Sequence, residues 1–327
     1  MSMDADTIVD RRRLRRKLTT WRIVAFLVAI VAVVGGIYLL FARELDMAAR
    51  PGAFIARIKI QGLIRGDTER VEALERLGKS SARAVIVHID SPGGTTAGSE
   101  QLHDALRRLA EQKPMVVVVD GLAASGGYIA AMAADHIVAQ GTSLVGSIGV
   151  LFQYPNVSEL MKTVGIRVEE IKSSPLKAAP SAFEPTSPEA RAAIEAIVRD
   201  SYTWFRGLVS GRRKLEGEAL ERVADGRVFT GRQAVEVKLI DQLGDEKTAI
   251  AWLAKERGID EKTPVRDWRL KDRLGDLSFL HLGAATVLDA LGLKDLAQRF
   301  ATAGAVQAIE RLNLDGLLAL WHPPSTN

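Results

Sequence analysis

Two apolar runs, Ala82–Asp90 (ARAVIVHID) and Pro114–Asp120 (PMVVVVD), constrain this chain more than any other feature. Neither alternates polar with apolar residues, so each reads as a strand buried on both faces, the pattern of a parallel sheet. Each leads at once into a turn of small residues and then a helix-like run: SPGG before TTAGSEQLHDALRRLAEQ, and GLAASGG before YIAAMAAD. Parallel neighbours need a crossover connection, and right-handed βαβ crossovers stacked on a sheet give a layered α/β domain. The flanking segments fit that class. AFIARIKIQGLI (Ala53–Ile64) reads as a strand, and DTERVEALERLGKSS as a helix carrying Val71, Leu74 and Leu77 on one face. HIVA and SLVGSIGVL supply further strands. Ser187 to Gly217 reads as a long amphipathic helix with Ser187 as N-cap and Pro188 in its first turn. Further helices are expected from Gly231 and over EKTAIAWLAKERGI.

The formal charge of +4 is not spread along the 327 residues. Arg11, Arg12, Arg13, Arg15, Arg16, Lys17 and Arg22, set against Asp4, Asp6 and Asp10, account for all of it. The remaining chain is formally neutral and offers no electrostatic footprint for a phosphate backbone, so nucleic acid is not an expected partner. The basic cluster precedes Ile23–Ala42, a run with no charged residue. As a helix this run spans about 30 Å, the thickness of a bilayer's hydrocarbon core. A cleaved secretory signal has a shorter apolar region and a small-residue cleavage site, which favours an uncleaved anchor here. The basic residues before it place the N-terminus in the cytoplasm and the body outside. The expected organisation is therefore a basic cytoplasmic tail (1–22), a transmembrane anchor (23–42), a juxtamembrane linker (43–52), a catalytic domain (53–270) and an apolar C-terminal extension (271–327). Helical pieces such as ATVLDALGL and AIERLNLDGLLALW are expected in that extension. The chain has no cysteine, so neither a disulfide nor a thiol nucleophile is available.

The two small-residue turns are where chemistry is expected. In open α/β sheets ligands bind beyond the carboxyl ends of the strands, where backbone N–H groups point outward. DSPGG (Asp90–Gly94) offers amides at Gly93 and Gly94, and ASGG (Ala124–Gly127) offers the Ser125 hydroxyl and the Gly126 amide. A serine at a helix start is ordinarily an N-cap, and glycine turns ordinarily serve backbone geometry. A hydroxyl flanked by backbone donors is also what acyl transfer requires. Of five histidines, His281 and His322 lie in the apolar tail, His103 in a helix beside Asp104, and His136 after Asp135. His88 lies within a strand, on the face that also carries Asp90. None sits on a glycine turn in the manner of a triad. A desolvated lysine is the other candidate base. Lys172 and Lys177 lie in a segment of small residues and prolines, and Lys177 is followed by AAPSAF with no carboxylate.

IDSPGG, ASGGYIAAMAADHIVA, GSIGV, IKSSPLK and VADGRVFTGRQAVEVKLIDQLG, in this order, resemble the signal peptide peptidase A family, peptidase family S49, in its short form. The resemblance runs from about Ile55 to Gly244. It implies a Clp-protease/crotonase-like fold and a membrane-anchored serine protease with a Ser–Lys dyad. It also implies assembly into a homo-oligomeric ring with sites completed between subunits, and no cofactor or metal. Residue by residue, it assigns Ser125 as nucleophile and Lys177 as base. Ser147 becomes the hydroxyl that orients the lysine, and Gly94 and Gly126 the oxyanion donors. The chain departs from the family pattern at Ser174 and Pro175, at Ile129, and at Lys238, where the family commonly has a glycine. The motif DGRVFTGRQA is expected to be structural and to lie away from the dyad.

The function so implied is degradation of hydrophobic peptides, such as cleaved signal peptides, by a protein of the bacterial inner membrane with its catalytic domain in the periplasm. A catalytically silent membrane scaffold of the same fold is the alternative. A crotonase-like acyl-CoA enzyme is a third reading, disfavoured by an anchor that would place the domain outside the cytoplasm.

Overall fold

The computed structural model describes residues 20, 21, 26, 52–270 and 318–320. By its contacts the chain divides at Gly52/Ala53, and the following concerns the residues from Ala53 onward. The expected membrane segment, 23–42, lies outside the described residues except for Phe26. Among the described residues no helix is long and apolar enough to cross a membrane.

Strand β2 (Ala82–Ser91) shows why the apolar runs are continuous. Its side chains alternate between two cores, Val85, Val87 and Ile89 entering the larger and Ala84 and Ile86 the smaller. Strand β1 (Phe54–Gln61) and strand β4 (Met115–Ala124) pair with it on either side, both parallel. Helix α1 (Thr68–Gly78), between β1 and β2, packs Ala73, Leu74 and Leu77 on the larger core. Helix α2 (Thr96–Ala110), between β2 and β4, adds Leu102, Leu106 and Leu109 to it. Burying each such aliphatic side chain contributes roughly 1.5–3 kcal/mol. Local signals start these helices as the spacing requires. Asp67 caps α1 by accepting from Arg70 N at 3.0 Å, and Thr95 caps α2 by accepting from Gly98 N at 3.2 Å.

One departure from regular pairing matters for the site. Ile89 of β2 faces Val119, but Ser91 faces Ala123, so β4 carries two extra residues around Gly121. Before that slip β4 also pairs with β5 (His136–Ala139); beyond it, Leu122–Ala124 pair with β6 (Leu144–Gly146). The bulge thus redirects the end of β4. Helix α3 (Gly126–Ala131) follows β4 directly.

The SPGG turn is not a bare loop as expected. Gly93–Thr95 forms a short strand, β3, before α2 begins. The long helix is as expected: α4 (Ser158–Thr163) precedes α5 (Pro188–Arg213), whose Ser187 cap accepts from Ala190 N at 3.1 Å. Lys214, in left-handed conformation, ends it before α6 (Gly217–Val223). Strand β7 (Val228–Thr230) runs antiparallel to β6, and α7 (Gly231–Glu236) leads to β8 (Gln242–Leu243), which pairs with β5. Helix α8 (Glu246–Arg257) closes the second face with Ala249 and Leu253, and β9 (Val265–Asp267) adds to β1. The main sheet therefore runs β7-β6-β4-β2-β1-β9, with β5 beside β4 and β8 beyond β5, parallel except at β7.

The C-terminal extension departs from expectation where it is described. Leu318–Leu320, expected to be helical, forms strand β10, antiparallel to β3. The edge of β3 offers backbone partners that a local propensity for helix does not foresee.

Candidate active site

Ser125 occupies the N-cap position of α3 but does not cap it. Its backbone sits at φ +54°, ψ −115°, and its hydroxyl makes no capping bond. A non-glycine residue there stores of order 1–3 kcal/mol of strain, which persists only where surrounding contacts impose it. Those contacts are visible: Ser125 N donates to Gly146 O at 2.7 Å, while Ser125 O accepts from Tyr128 N and Ile129 N, each at 2.9 Å. The side chain is buried at 1% exposure, and Oγ makes no hydrogen bond to any described residue. The Gly126 N–H, first in its helix, also has no partner among the described residues.

Ser147 follows Gly146 just as Ser125 follows Ala124, and Ala124 and Gly146 are register partners. The two serines thus end adjacent strands side by side, about 4.8 Å being the usual spacing. Ser147 too has positive φ, +53°, and its N–H donates to Arg227 O at 2.8 Å. That contact corrects one expectation. DGRVFTGRQA, expected to lie away from the dyad, lies against Ser147, the neighbour of Ser125, because Val228–Thr230 pairs with Leu144–Gly146. Nothing local in the sequence marks Arg227 for this position; the pairing of β6 with β7 places it. Beside Ser147 a cleft of about 570 Å³ opens toward Val150, Leu151, Val198 and Tyr202.

Gly94 lies on β3, which touches α3. A Cβ there would come within 1.8 Å of Ile64 O, so only glycine allows the Ile64 segment to approach. The two SPGG amides are not equivalent, against the expectation that both are free. Gly93 N donates to Ser91 Oγ at 3.1 Å, whereas Gly94 is the register partner of Ala319 on the antiparallel strand β10.

Tyr128 anchors α3 from below. Its fully buried hydroxyl donates to Leu239 O at 2.7 Å, and burial pushes its titration well above that of a free phenol. Arg213 Nε donates to Lys238 O at 2.7 Å and the same guanidinium pairs with Asp241. Lys238 sits at φ +62°, which explains physically why a glycine suits that position.

The candidate bases separate clearly. Both ring nitrogens of His88 are taken, by Asp120 and Glu246 at 2.8 Å each, and Glu246 is held in turn by Arg57. His103 meets Asp104, and His136 stacks on Trp252; His281 and His322 lie outside the described residues. No described histidine bonds Ser125. Lys172 is clamped by Glu170 at 2.6 Å and Glu184 at 2.7 Å, and these carboxylates hold its ammonium above the usual lysine range. Lys177 is exposed, follows the turn closed by its N–H to Ser174 O at 3.1 Å, and makes no side-chain hydrogen bond or ion pair among the described residues. The chain therefore brings Ser125, Ser147 and the Gly126 amide together, with β3 beside them, and does not join Lys177 to either serine.

A layered α/β body with a strained, uncapped serine at a strand–helix junction has the form of a hydrolase. A Clp protease family model matches residues 68–141, and a peptidase family S49 model matches residues 107–260. The Synechocystis sp. protein named "Putative protease" is 38% identical over 208 residues, 63% of this chain and 75% of its own length. The chloroplastic serine protease SPPA of Arabidopsis thaliana is 34% identical over 64% of this chain, and protease 4 of Salmonella typhi 31% over 67%. This chain spans 32% and 34% of those two relatives' lengths. The fold is Clp-protease-like. The chain belongs to peptidase family S49, the signal peptide peptidase A family.

Proposed function

We propose that this chain is a membrane-anchored serine endopeptidase that degrades hydrophobic peptides, such as cleaved signal peptides, with Ser125 as nucleophile and Lys177 as base. The observation that carries the reading is Ser125 itself, a serine held at φ +54° in a cap position whose hydroxyl caps nothing. In this reading Ser125 Oγ attacks the scissile carbonyl while a neutral Lys177 Nζ accepts its proton and passes it to the departing amine. The Gly94 and Gly126 amides receive the developing oxyanion, and water then releases the acyl-enzyme. Ser147 orients the lysine.

Lys177 reaches the site from a neighbouring copy in a ring. Ile166, Ile171 and Leu176, in the same stretch of chain as Lys177, are all exposed, apolar surface of the kind that assembly covers. The charge-free run at 23–42 supplies the anchor, with the N-terminus in the cytoplasm and the body on the outer side of a bacterial inner membrane. The other reading, a catalytically silent scaffold, is favoured by one observation, the separation of Lys177 from both serines in the single chain.

The test is cleavage of apolar fluorogenic peptides by the detergent-solubilised full chain, with Ser125→Ala and Lys177→Ala. Both variants are expected to be folded, assembled and silent, while rings mixed from the two regain cleavage. A Ser125→Ala protein as active as the unsubstituted one ends the peptidase reading, and silent mixed rings end donation of the base between copies.

A further inference from the structure

Lys177 stands at the tip of a loop whose neck is closed by charge. Between Glu170 and Glu184 the only charged residues are Lys172 and Lys177. Residues 173–178 are all exposed, while Ala179, Pro180 and Ser181 turn back toward the body. The returning limb is anchored there: Val157 N donates to Ala182 O at 2.8 Å, and Asn156 Nδ2 donates to Glu184 O at 3.2 Å. The outgoing limb, residues 167–172, makes no backbone–backbone hydrogen bond to any described residue. Side chains hold it instead. Lys172 Nζ donates to Glu184 Oε1 at 2.7 Å and meets Glu170 Oε2 at 2.6 Å, and Ser181 Oγ donates to Glu170 Oε1 at 3.1 Å. Glu170 foremost, then Glu184, holds the Lys172 ammonium above the usual lysine range, and Lys172 holds the Glu170 carboxyl below the usual carboxylate range. The Glu170–Lys172 pair therefore stays charged across neutral and mildly alkaline pH.

We propose that Lys172 is a positioning residue for Lys177: it ties Glu170 and Glu184 together at the neck of the loop and so keeps the loop's own carboxylates from pairing with the lysine at the tip. The proposal rests on the reading of Lys177 as base. A lysine accepts a proton only when neutral, and a carboxylate beside it holds that proton in place. Glu170 and Glu184 flank Lys177 on either side in one short loop. Engaged with Lys172, their charge is spent; released, they would turn to the one other cation of the loop. The remaining charges about the neck are Arg167 and Glu169, exposed on the outgoing limb, and Glu189 in the first turn of α5. Glu189 lines the same cleft of about 440 Å³ as Glu170, Lys172 and Glu184. An isolated exposed ion pair constrains a chain weakly, but one ammonium shared by carboxylates from both limbs is a network and fixes their separation.

The experiment uses the detergent-solubilised full chain, with melting and assembly checked for every variant. Cleavage of an apolar fluorogenic peptide is followed across neutral and alkaline pH. Protonation of Lys177 is read separately, from the rate at which acetic anhydride labels its amine, by mass spectrometry. Lys172→Met is expected to move the rise in both cleavage and labelling to higher pH by about one unit, so that kcat/KM at neutral pH falls about tenfold. Lys172→Arg, which keeps both carboxylates engaged, is expected to restore the profile. Adding Glu170→Gln and Glu184→Gln to Lys172→Met should also return the profile to its place, with kcat still low because the neck stays open. Glu169→Gln is expected to change nothing. Unshifted profiles in Lys172→Met overturn the proposal, and so does a lower kcat at unshifted pH, which marks a merely structural lysine. A shift in labelling with no cleavage by any form, the unsubstituted chain included, leaves the role of Lys172 standing and overturns the peptidase reading instead.

Discussion

Ser125 and Ser147 stand one residue beyond a register pair of parallel strands, and Ser125 N is tied to Gly146 O at 2.7 Å. Both hold left-handed backbone, φ +54° and +53°, where a side chain is strained. Each is pinned by a bond from its own N–H to a carbonyl remote in sequence, Gly146 for the first and Arg227 for the second. The strain is therefore imposed by the sheet, and it holds two buried hydroxyls side by side, the first of which makes no capping bond.

Replacing Ser125 by glycine removes that strain together with the hydroxyl. Relief of about 1–3 kcal/mol, offset by the extra freedom glycine has when unfolded (about 0.5–1 kcal/mol), predicts a net gain near 1 kcal/mol. Urea unfolding of Ser125→Gly is expected to show a higher midpoint with peptide cleavage abolished. A midpoint at or below that of Ser125→Ala would mean the conformation is not strained.

Tyr128→Phe removes a hydroxyl from a fully buried site and leaves Leu239 O without its donor. The expected loss is about 1–3 kcal/mol. Because Tyr128 ties α3 to the Lys238–Asp241 turn, cleavage should also fall when measured well below the unfolding temperature. Equal stability in both forms would show that water replaces the hydroxyl.

Lys238→Gly places glycine at φ +62°. The left-handed cost for a lysine there is about 1–2 kcal/mol, and glycine's greater unfolded freedom returns part of it. A gain of about 0.5–1 kcal/mol in thermal or urea unfolding is expected, with cleavage unchanged. A loss would show that the lysine side chain contributes more than its backbone costs.

His103 gives the fold a pH dependence. It is buried on α2 with Nε2 unpartnered among the described residues, and desolvation lowers its pKa from 6.5, an effect that Asp104 partly opposes and Arg212 and Arg107 reinforce. Because the folded value is the lower one, the unfolded chain binds the proton first on acidification. Stability is therefore full above 6.5 and falls as pH drops below it. His136, lowered by burial as well, acts in the same direction. Urea midpoints between pH 7.5 and 5.5 should decline, and the decline should shrink in His103→Met. An unchanged slope would assign the effect elsewhere.

Much of the body could be read from the residues. The doubly buried runs became β2 and β4, the Ser187 side chain caps the helix it precedes, and the two turns of small residues lie at strand ends. The position of Arg227 against Ser147 was not readable, because it depends on β6 meeting β7 some eighty residues later in the chain. The strand at Gly93–Thr95 and its partner at Leu318–Leu320 escaped for the same reason: three residues carry too little pattern to announce a strand without the edge they join.

By itself the sequence determined the layered α/β class, the helix capped by Ser187 and the turn that carries Ser125, while the preference for Lys177 over Lys172 came from the family resemblance. Periodicity, caps and small-residue turns act over a few residues, within reach of local physics. Only the tertiary structure decided that Ser125 caps nothing, that Ser147 stands beside it, that Lys172 is clamped by carboxylates while Lys177 is not, and that the chain's own tail lies along β3. Each of those depends on backbone groups or charges far apart in the chain, brought together by the packing of the sheet rather than by any neighbour in sequence.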